Sequence, residues 1–464
     1  MKLKTCRQLR AWGMAAAFTL AFWPAAATQE SDLVQAEWLI IAVKQYYAAG
    51  RYAQAIPLAR RALTIREKAL GFEHPETVAS LDDLAELYEA AGAYAKAGPL
   101  FRRALAAREK VLGPGHLDTA RALNNLAGLY YVTGAYAKAE PLYQRALAIR
   151  EKALGSEDPN TVMALNSLAG LYYATGAYAK AEPLFQRALA FSKKADGTED
   201  ANTALVLNNL AELYQATGAY AKAAPLFQRA LAIYEKELGP EHPNTVASLN
   251  DLAGFYQATG DYAKAESLLR RALAIWEKSS GPEDRNTSIA LNSLAELYEA
   301  TGAYGKAKPL LQRALAICGK ALGPEHPDTA RALNNLGVLY RLTRAYAKAE
   351  PLFQRSLAIK EKTLGPEHPD TARALDNLGV VYRLTGAYTK AKPLLQRALV
   401  IREKALGSEH PDTAASLNNL ALLYQAMGAD AKAEPLLERV RAIRTKASDP
   451  GQPDSAAATP QPSR

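Results

Sequence analysis

Apolar and polar positions along this chain keep a helical rhythm. Leu123, Leu126, Ala127 and Tyr130 fall at i, i+3, i+4 and i+7, one apolar face of a helix. Gly134 follows, suited to the left-handed backbone that ends a helix. A second pattern runs from Tyr136 through Ala139, Leu142, Tyr143, Ala146, Leu147 and Ile149 to Leu154, and Gly155 stops it. Alanine-rich faces let neighbouring helices approach closely, while leucines and tyrosines fill the space between. Strand-type alternation is absent, so the class predicted is all-α.

The pair of patterns recurs. The segment GAYAKAEPL and its variants begin at Gly50, Gly92, Gly134, Gly176, Gly218, Gly260, Gly302, Arg344, Gly386 and Gly428, always 42 residues apart. Arg344 is the one break in the glycine column. A period of roughly 20–50 residues implies stacked supersecondary units. The sequence thus predicts one solenoid of ten helix-turn-helix repeats over residues 28–446, not several domains. Nine repeats place a proline inside the second helix, as Pro141 does in the third, with Ser267 the exception. The carbonyl that such a proline would displace belongs to the first helical turn, where bonding is weakest, so a small bend is expected and not a break.

A histidine column runs through the array: His74, His116, His242, His326, His368 and His410, with Asp158, Asp200 and Asp284 in the same place elsewhere. Proline usually follows and a threonine stands three residues on, which is a helix-start signal. A shared metal site fails on distance. Zinc needs ligands at ~2.1 Å, whereas equivalent residues of stacked helices stand on the order of 10 Å apart. No nucleophile recurs beside the column, and no phosphate loop, HExxH, paired cysteines or G-x-S-x-G is present. The reading is that of a non-enzymatic chain with no cofactor and no metal.

Leu123, Leu126, Ala127, Tyr130, Gly134, Tyr136, Ala139, Tyr143 and Ala146 resemble the signature of the tetratricopeptide (TPR) repeat. The 42-residue unit, with REKALG and EHPDTA at its joints, is similar to the kinesin-light-chain type. Leucine replaces the usual tryptophan, and a longer second helix and loop replace the closing proline. The resemblance implies a right-handed superhelical α-solenoid whose first helices line a concave groove.

Helical geometry agrees, since the face opposite Leu123, Leu126 and Tyr130 must point away from the core. Along it run Arg121, Asn124, Gly128 and Tyr131. The Asn124 position recurs as Asn166, Asn208, Asn250, Asn292, Asn334 and Asn418, with Asp82 and Asp376 substituting. In peptide-binding relatives of this type such amides pair with an extended backbone, for which they have both donors and an acceptor. The alternative is a solvated polar face or bonds within the helix. Neighbouring columns vary: Glu86, Glu89, Glu212, Glu296 and Glu299 are acidic, Tyr131 and Tyr173 aromatic. Arg331, Arg341, Arg373 and Arg383 supply two arginines to each of repeats 8 and 9. Ten residues separate the two of a repeat, close to three turns, so they share a face suited to carboxylates.

The ends differ. Lys2, Lys4, Arg7 and Arg10 precede an apolar run of 13 residues, AWGMAAAFTLAFW, with small residues at Ala25–Ala27. Residues 1–27 read as a secretory signal, with a mature start at Thr28; an uncleaved anchor is the alternative. Without them the net charge falls from +9 to +5, too mild and too interspersed for a nucleic-acid surface. Cys318 becomes the only cysteine and is expected to be buried. Residues 447–464, rich in Pro, Ser and Ala, read as a disordered tail. The first and tenth repeats are atypical, as solenoid caps are.

The expected function is a periplasmic or secreted scaffold that binds extended peptide or disordered protein with an acidic segment, as a monomer, with no small-molecule substrate. The alternatives are a self-assembling structural protein and a regulatory partner of a separate enzyme.

Overall fold

Proline after a polar cap starts the first helix of a repeat, and a left-handed residue closes the turn to the second. In the computed structural model these signals yield twenty helices, from α1 (Gln29–Ala48) to α20 (Asp430–Ser448), with no strand among the described residues. The structure describes residues 29–48, 50–192 and 199–448. The expected signal segment lies outside them, as does the expected tail apart from residues 447 and 448, which finish α20. Odd-numbered helices are the first of each repeat and even-numbered ones the second. All nine interior prolines sit in unbroken helices, as Pro141 does in α6 (Tyr136–Leu154).

The chain forms two compact bodies, Met1–Leu87 and Tyr88–Arg464. In the first, Ala36 and Leu39 of α1 pack on Ala62 of α2 (Tyr52–Leu70). In the second, each repeat buries its alanines and leucines against the next, and Phe185, Phe227 and Phe353 are almost wholly enclosed. This is an α-solenoid.

The recurring tyrosine of the first helix joins neighbouring repeats. At Tyr172, Tyr214, Tyr298 and Tyr382 its hydroxyl donates to a glutamate on the preceding second helix, Tyr172 to Glu140 at 2.8 Å and Tyr298 to Glu266 at 2.8 Å. Further out, arginines reach back 36 residues to glutamates, as in Arg313–Glu277 and Arg397–Glu361, both 2.6 Å. Much of the interspersed charge is thus consumed between repeats, each exposed pair contributing under ~1 kcal/mol.

The histidine column caps helices, as expected. Nδ1 of His116, His326, His368 and His410 accepts the backbone N–H two residues on, and Asp158, Asp200 and Asp284 do the same with a carboxylate oxygen. The following threonine donates to the glycine carbonyl that ended the previous repeat, Thr371 to Gly365 at 2.8 Å.

Within the second body three histidines do more. Nε2 of His326 meets the Ala90 carbonyl at 3.3 Å, and that of His368 meets the Val132 carbonyl at 2.8 Å, each across 236 residues. His410 bonds the Ala174 backbone in the same register. Successive turns of the superhelix therefore touch, through rings that need Nδ1 bare and Nε2 protonated. Sequence spacing alone did not reveal this second contact.

Burial holds all three histidines below the usual imidazole range, although Asp328, Asp370 and Asp412 stand beside them. A base with a depressed folded pKa contributes stability that is complete above its unfolded value, about 6.5, and is lost as pH falls below it. Thermal melts from pH 7.5 to 5.5 should show the array weakening. A triple His→Asn variant at 326, 368 and 410, which keeps a cap but cannot titrate, should weaken less over that interval. Equal slopes would remove the histidines from the explanation.

Arg344 occupies the glycine position with φ 58° and is the one non-glycine residue with positive φ among those described. The turn still closes, since Ala345 N–H donates to the Tyr340 carbonyl at 2.7 Å. The left-handed backbone costs a side-chain-bearing residue roughly 1–2 kcal/mol, partly offset by the greater freedom glycine has when unfolded. Arg344→Gly should therefore stabilise the array by about 0.5–1 kcal/mol, read as a higher urea midpoint.

Candidate functional site: the inner face of the first helices

First helices of successive repeats lie side by side within the second body. Four of the seven expected asparagines sit between them, not open to the groove. Asn166, Asn208, Asn292 and Asn334 are buried, 5–7% exposed. Asn209 donates to Asn166 at 2.9 Å and Asn377 to Asn334 at 2.8 Å, while Asn208 donates to Asp251 at 3.1 Å. The amides form a ladder from repeat to repeat. Asn124, Asn250 and Asn418 are only half-buried. The carbonyl oxygens of Asn124 and Asn250 are enclosed without a hydrogen-bond partner among the described residues.

The four arginines divide into two pairs. Arg331 is held by Asp328 at 3.2 Å and Arg373 by Asp370 at 2.9 Å, each on its own helix; Arg121 pairs with Asp118 in the same way. Arg341 and Arg383 carry no ion pair among the described residues, and the enclosed Nε of each lacks an acceptor. The two lie close enough to repel one another. Asp376, expected among these arginines, instead pairs with Arg402 at 2.8 Å deep between repeats 9 and 10. The four-arginine patch thus contracts to two unpaired guanidinium groups at the last turn of α15 (Pro327–Leu342) and α17 (Pro369–Leu384).

Acids share this face. Burial, reinforced by Glu296, pushes Glu299 up to about 7 although Arg341 stands near it. Burial and the charge of Glu212 push Asp251 up to about 7. Tyr131 and Tyr173 are half-buried, with phenols raised by burial and by Glu212, and their rings pack on Tyr136 and Tyr178 at 5.7 and 5.8 Å. Asp251 had no place in the sequence reading; an acid in a column of mostly Asn and Ser was its only signal. The face therefore runs from an aromatic and acidic stretch in repeats 3–6 to a cationic pair in repeats 8 and 9. Among the described residues no three His, Cys, Asp or Glu side chains converge as a metal site. Cys318 is buried beside Ser288 Oγ, 3.2 Å away, and burial pushes its thiol up.

The tetratricopeptide repeat profile matches residues 43–110, 88–152, 118–194, 202–278, 247–320, 286–362, 344–403 and 382–446. The chain belongs to the tetratricopeptide repeat family. Its 42-residue repeats are of the kinesin-light-chain-like type. Among solved structures it is similar to the nearly identical TPR-like repeats of a candidate kinesin light chain from Podosopora anserina, at 35% identity over 44% of this chain and 98% of that one, TM-score 0.38. It is also similar to BtubC (BKLC) from P. vanneervenii, at 26% identity over 54% and 94%, TM-score 0.40. A Rap protein complexed with competence and sporulation factor matches at 15% identity over 89% and 99%, TM-score 0.50, a likeness of fold alone. No curated protein matches significantly. Tetratricopeptide arrays are in general non-catalytic scaffolds for protein interaction.

Proposed function

We propose that this tetratricopeptide protein is a non-enzymatic, exported scaffold that holds an extended, acidic peptide segment along the inner face of its first helices. The observation that carries the reading is the pair Arg341 and Arg383, half-buried and without an ion pair among the described residues. A desolvated guanidinium with unused donors favours a carboxylate, which it can grip bidentately. The half-buried Asn124, Asn250 and Asn418 and the rings of Tyr131 and Tyr173 offer the rest of the segment amide and aromatic contacts. The basic start, apolar run and small residues of 1–27 support export to a periplasm or beyond, with Thr28 first in the mature chain.

A peptide array probed with the full chain tests the groove. Bound sequences should be enriched in Asp and Glu, and an Arg341→Glu, Arg383→Glu variant should lose that enrichment. Retention of the same peptides by the variant would move the site off these arginines.

A further inference from the structure

Terminal repeats of a solenoid stay soluble by turning a polar face outward. Helix α1, the first helix described, does the opposite. Val34, Trp38 and Ile41 fall at i, i+4 and i+7 along it and are 48%, 65% and 48% exposed. A single exposed apolar side chain is ordinary, but a stripe of three with a tryptophan at its centre marks a contact surface.

The place of the stripe within the repeat says what kind of contact. Moved on by the 42-residue period, Trp38 becomes Ser80, Ala122, Ala164, Val206, Ser248, Ala290, Ala332, Ala374 and Ser416, all buried at 2% or less. Ile41 becomes Asp83, Asn, Ser or Asp251, and of these Asn209, Asp251, Asn335 and Asn377 bond back to the preceding repeat. Ser248 and Ser416 likewise donate to Asn208 and Asp376 of the repeat before. These columns are the stacking face of a repeat. In α1 that face has no preceding repeat among the described residues. It also carries tryptophan and isoleucine where later repeats carry small or amide side chains.

We infer that the stacking face of α1 is a dimerisation surface, taken by α1 of a second copy of this chain about a two-fold axis. Continuity with the repeat-to-repeat interface makes the occupant a helix. The last described helix does not fit, because the exposed side chains of α20 are largely charged, Lys432, Glu434, Glu438 and Arg441 among them. An apolar stripe is complementary to itself, which is what an isologous contact requires. Tryptophan at its centre is the residue type on which such contacts depend most. This inference is independent of the groove reading, since α1 lies in the first body and Arg341 and Arg383 in the second.

Sedimentation velocity of the chain as purified from its native host, over the micromolar range, tests it. A monomer–dimer equilibrium is expected, with tryptophan emission shifting to the blue as concentration rises. Trp38→Glu with Ile41→Glu should weaken the dimer at least tenfold, while the Arg341→Glu, Arg383→Glu variant should dimerise as the parent does. Trp38→Ala serves where the charged variant fails to fold, and it should weaken association in the same direction. A monomer throughout overturns the inference; an intact Met1 by mass spectrometry would then assign the stripe to the chain's own residues 1–27. A dimer indifferent to both Trp38 variants overturns it as well.

Discussion

Replacing Arg402 with methionine should destabilise the array by about 3–5 kcal/mol, the range for removing one partner of a buried ion pair. Arg402 and Asp376 are 5% and 3% exposed and 2.8 Å apart. Ser416 donates to Asp376 at 2.6 Å, and Arg402 also reaches the Asp412 carbonyl at 2.7 Å. Methionine fills the volume but leaves a carboxylate enclosed without its cation. Apart from Asp82 the rest of the Asp376 column is asparagine from the second repeat on, and the Arg402 column, basic at Arg66, Arg108, Arg150, Lys360 and Arg444, holds the uncharged Tyr234, Trp276 and Cys318 in repeats 5–7. Adding Asp376→Asn to the methionine variant restores an uncharged pairing of the kind that repeats 5–7 use in Asn208 with Tyr234, Asn250 with Trp276 and Asn292 with Cys318. The double variant should recover most of the lost stability, and chemical denaturation of the two variants and the parent measures it. A double variant no more stable than Arg402→Met would place the loss in packing, not charge.

That pair also shows where sequence reading stops. The fold was legible because its signals are local: periodic leucines, a left-handed residue at each turn, a cap before each first helix. Repetition then multiplied every signal by the number of repeats. The histidine caps were legible for the same reason, since a cap depends on residues two or three positions away. The site was less so. Whether Asn166 faces a ligand or the next repeat is decided by a rotation of a few tens of degrees about the helix axis, and hydrophobic periodicity does not resolve that. Asp376 looked like a neighbour of the arginines because both occupy first helices; its partner stands 26 residues on, on a second helix. The contacts of His326 and His368 across 236 residues depend on superhelical pitch, to which every small angle between repeats contributes.

Reversing Arg341 and Arg383 to glutamate should weaken capture of an acidic peptide at least tenfold. Each desolvated guanidinium–carboxylate contact contributes ~1.5–3 kcal/mol, and a tenfold change in affinity corresponds to about 1.4 kcal/mol. Loss of even one such contact therefore reaches the threshold, and the reversed charge adds repulsion. The fold should tolerate the change, because neither arginine makes an ion pair among the described residues. Glu299, near neutrality at about 7, sharpens the test. Below that pH it is protonated and leaves Arg341 wholly to the peptide; above it, it competes for the same guanidinium. Peptide affinity should accordingly fall as pH rises from 6 to 8 in the parent and change less in Glu299→Gln. Raised salt should weaken binding in the same direction but less than the double reversal, since half-buried charge contacts are screened less than exposed ones. Isothermal titration with one acidic peptide from the array gives all three quantities. Unchanged affinity in the double variant would put the carboxylates elsewhere and leave the aromatic stretch around Tyr131 and Tyr173 as the binding surface.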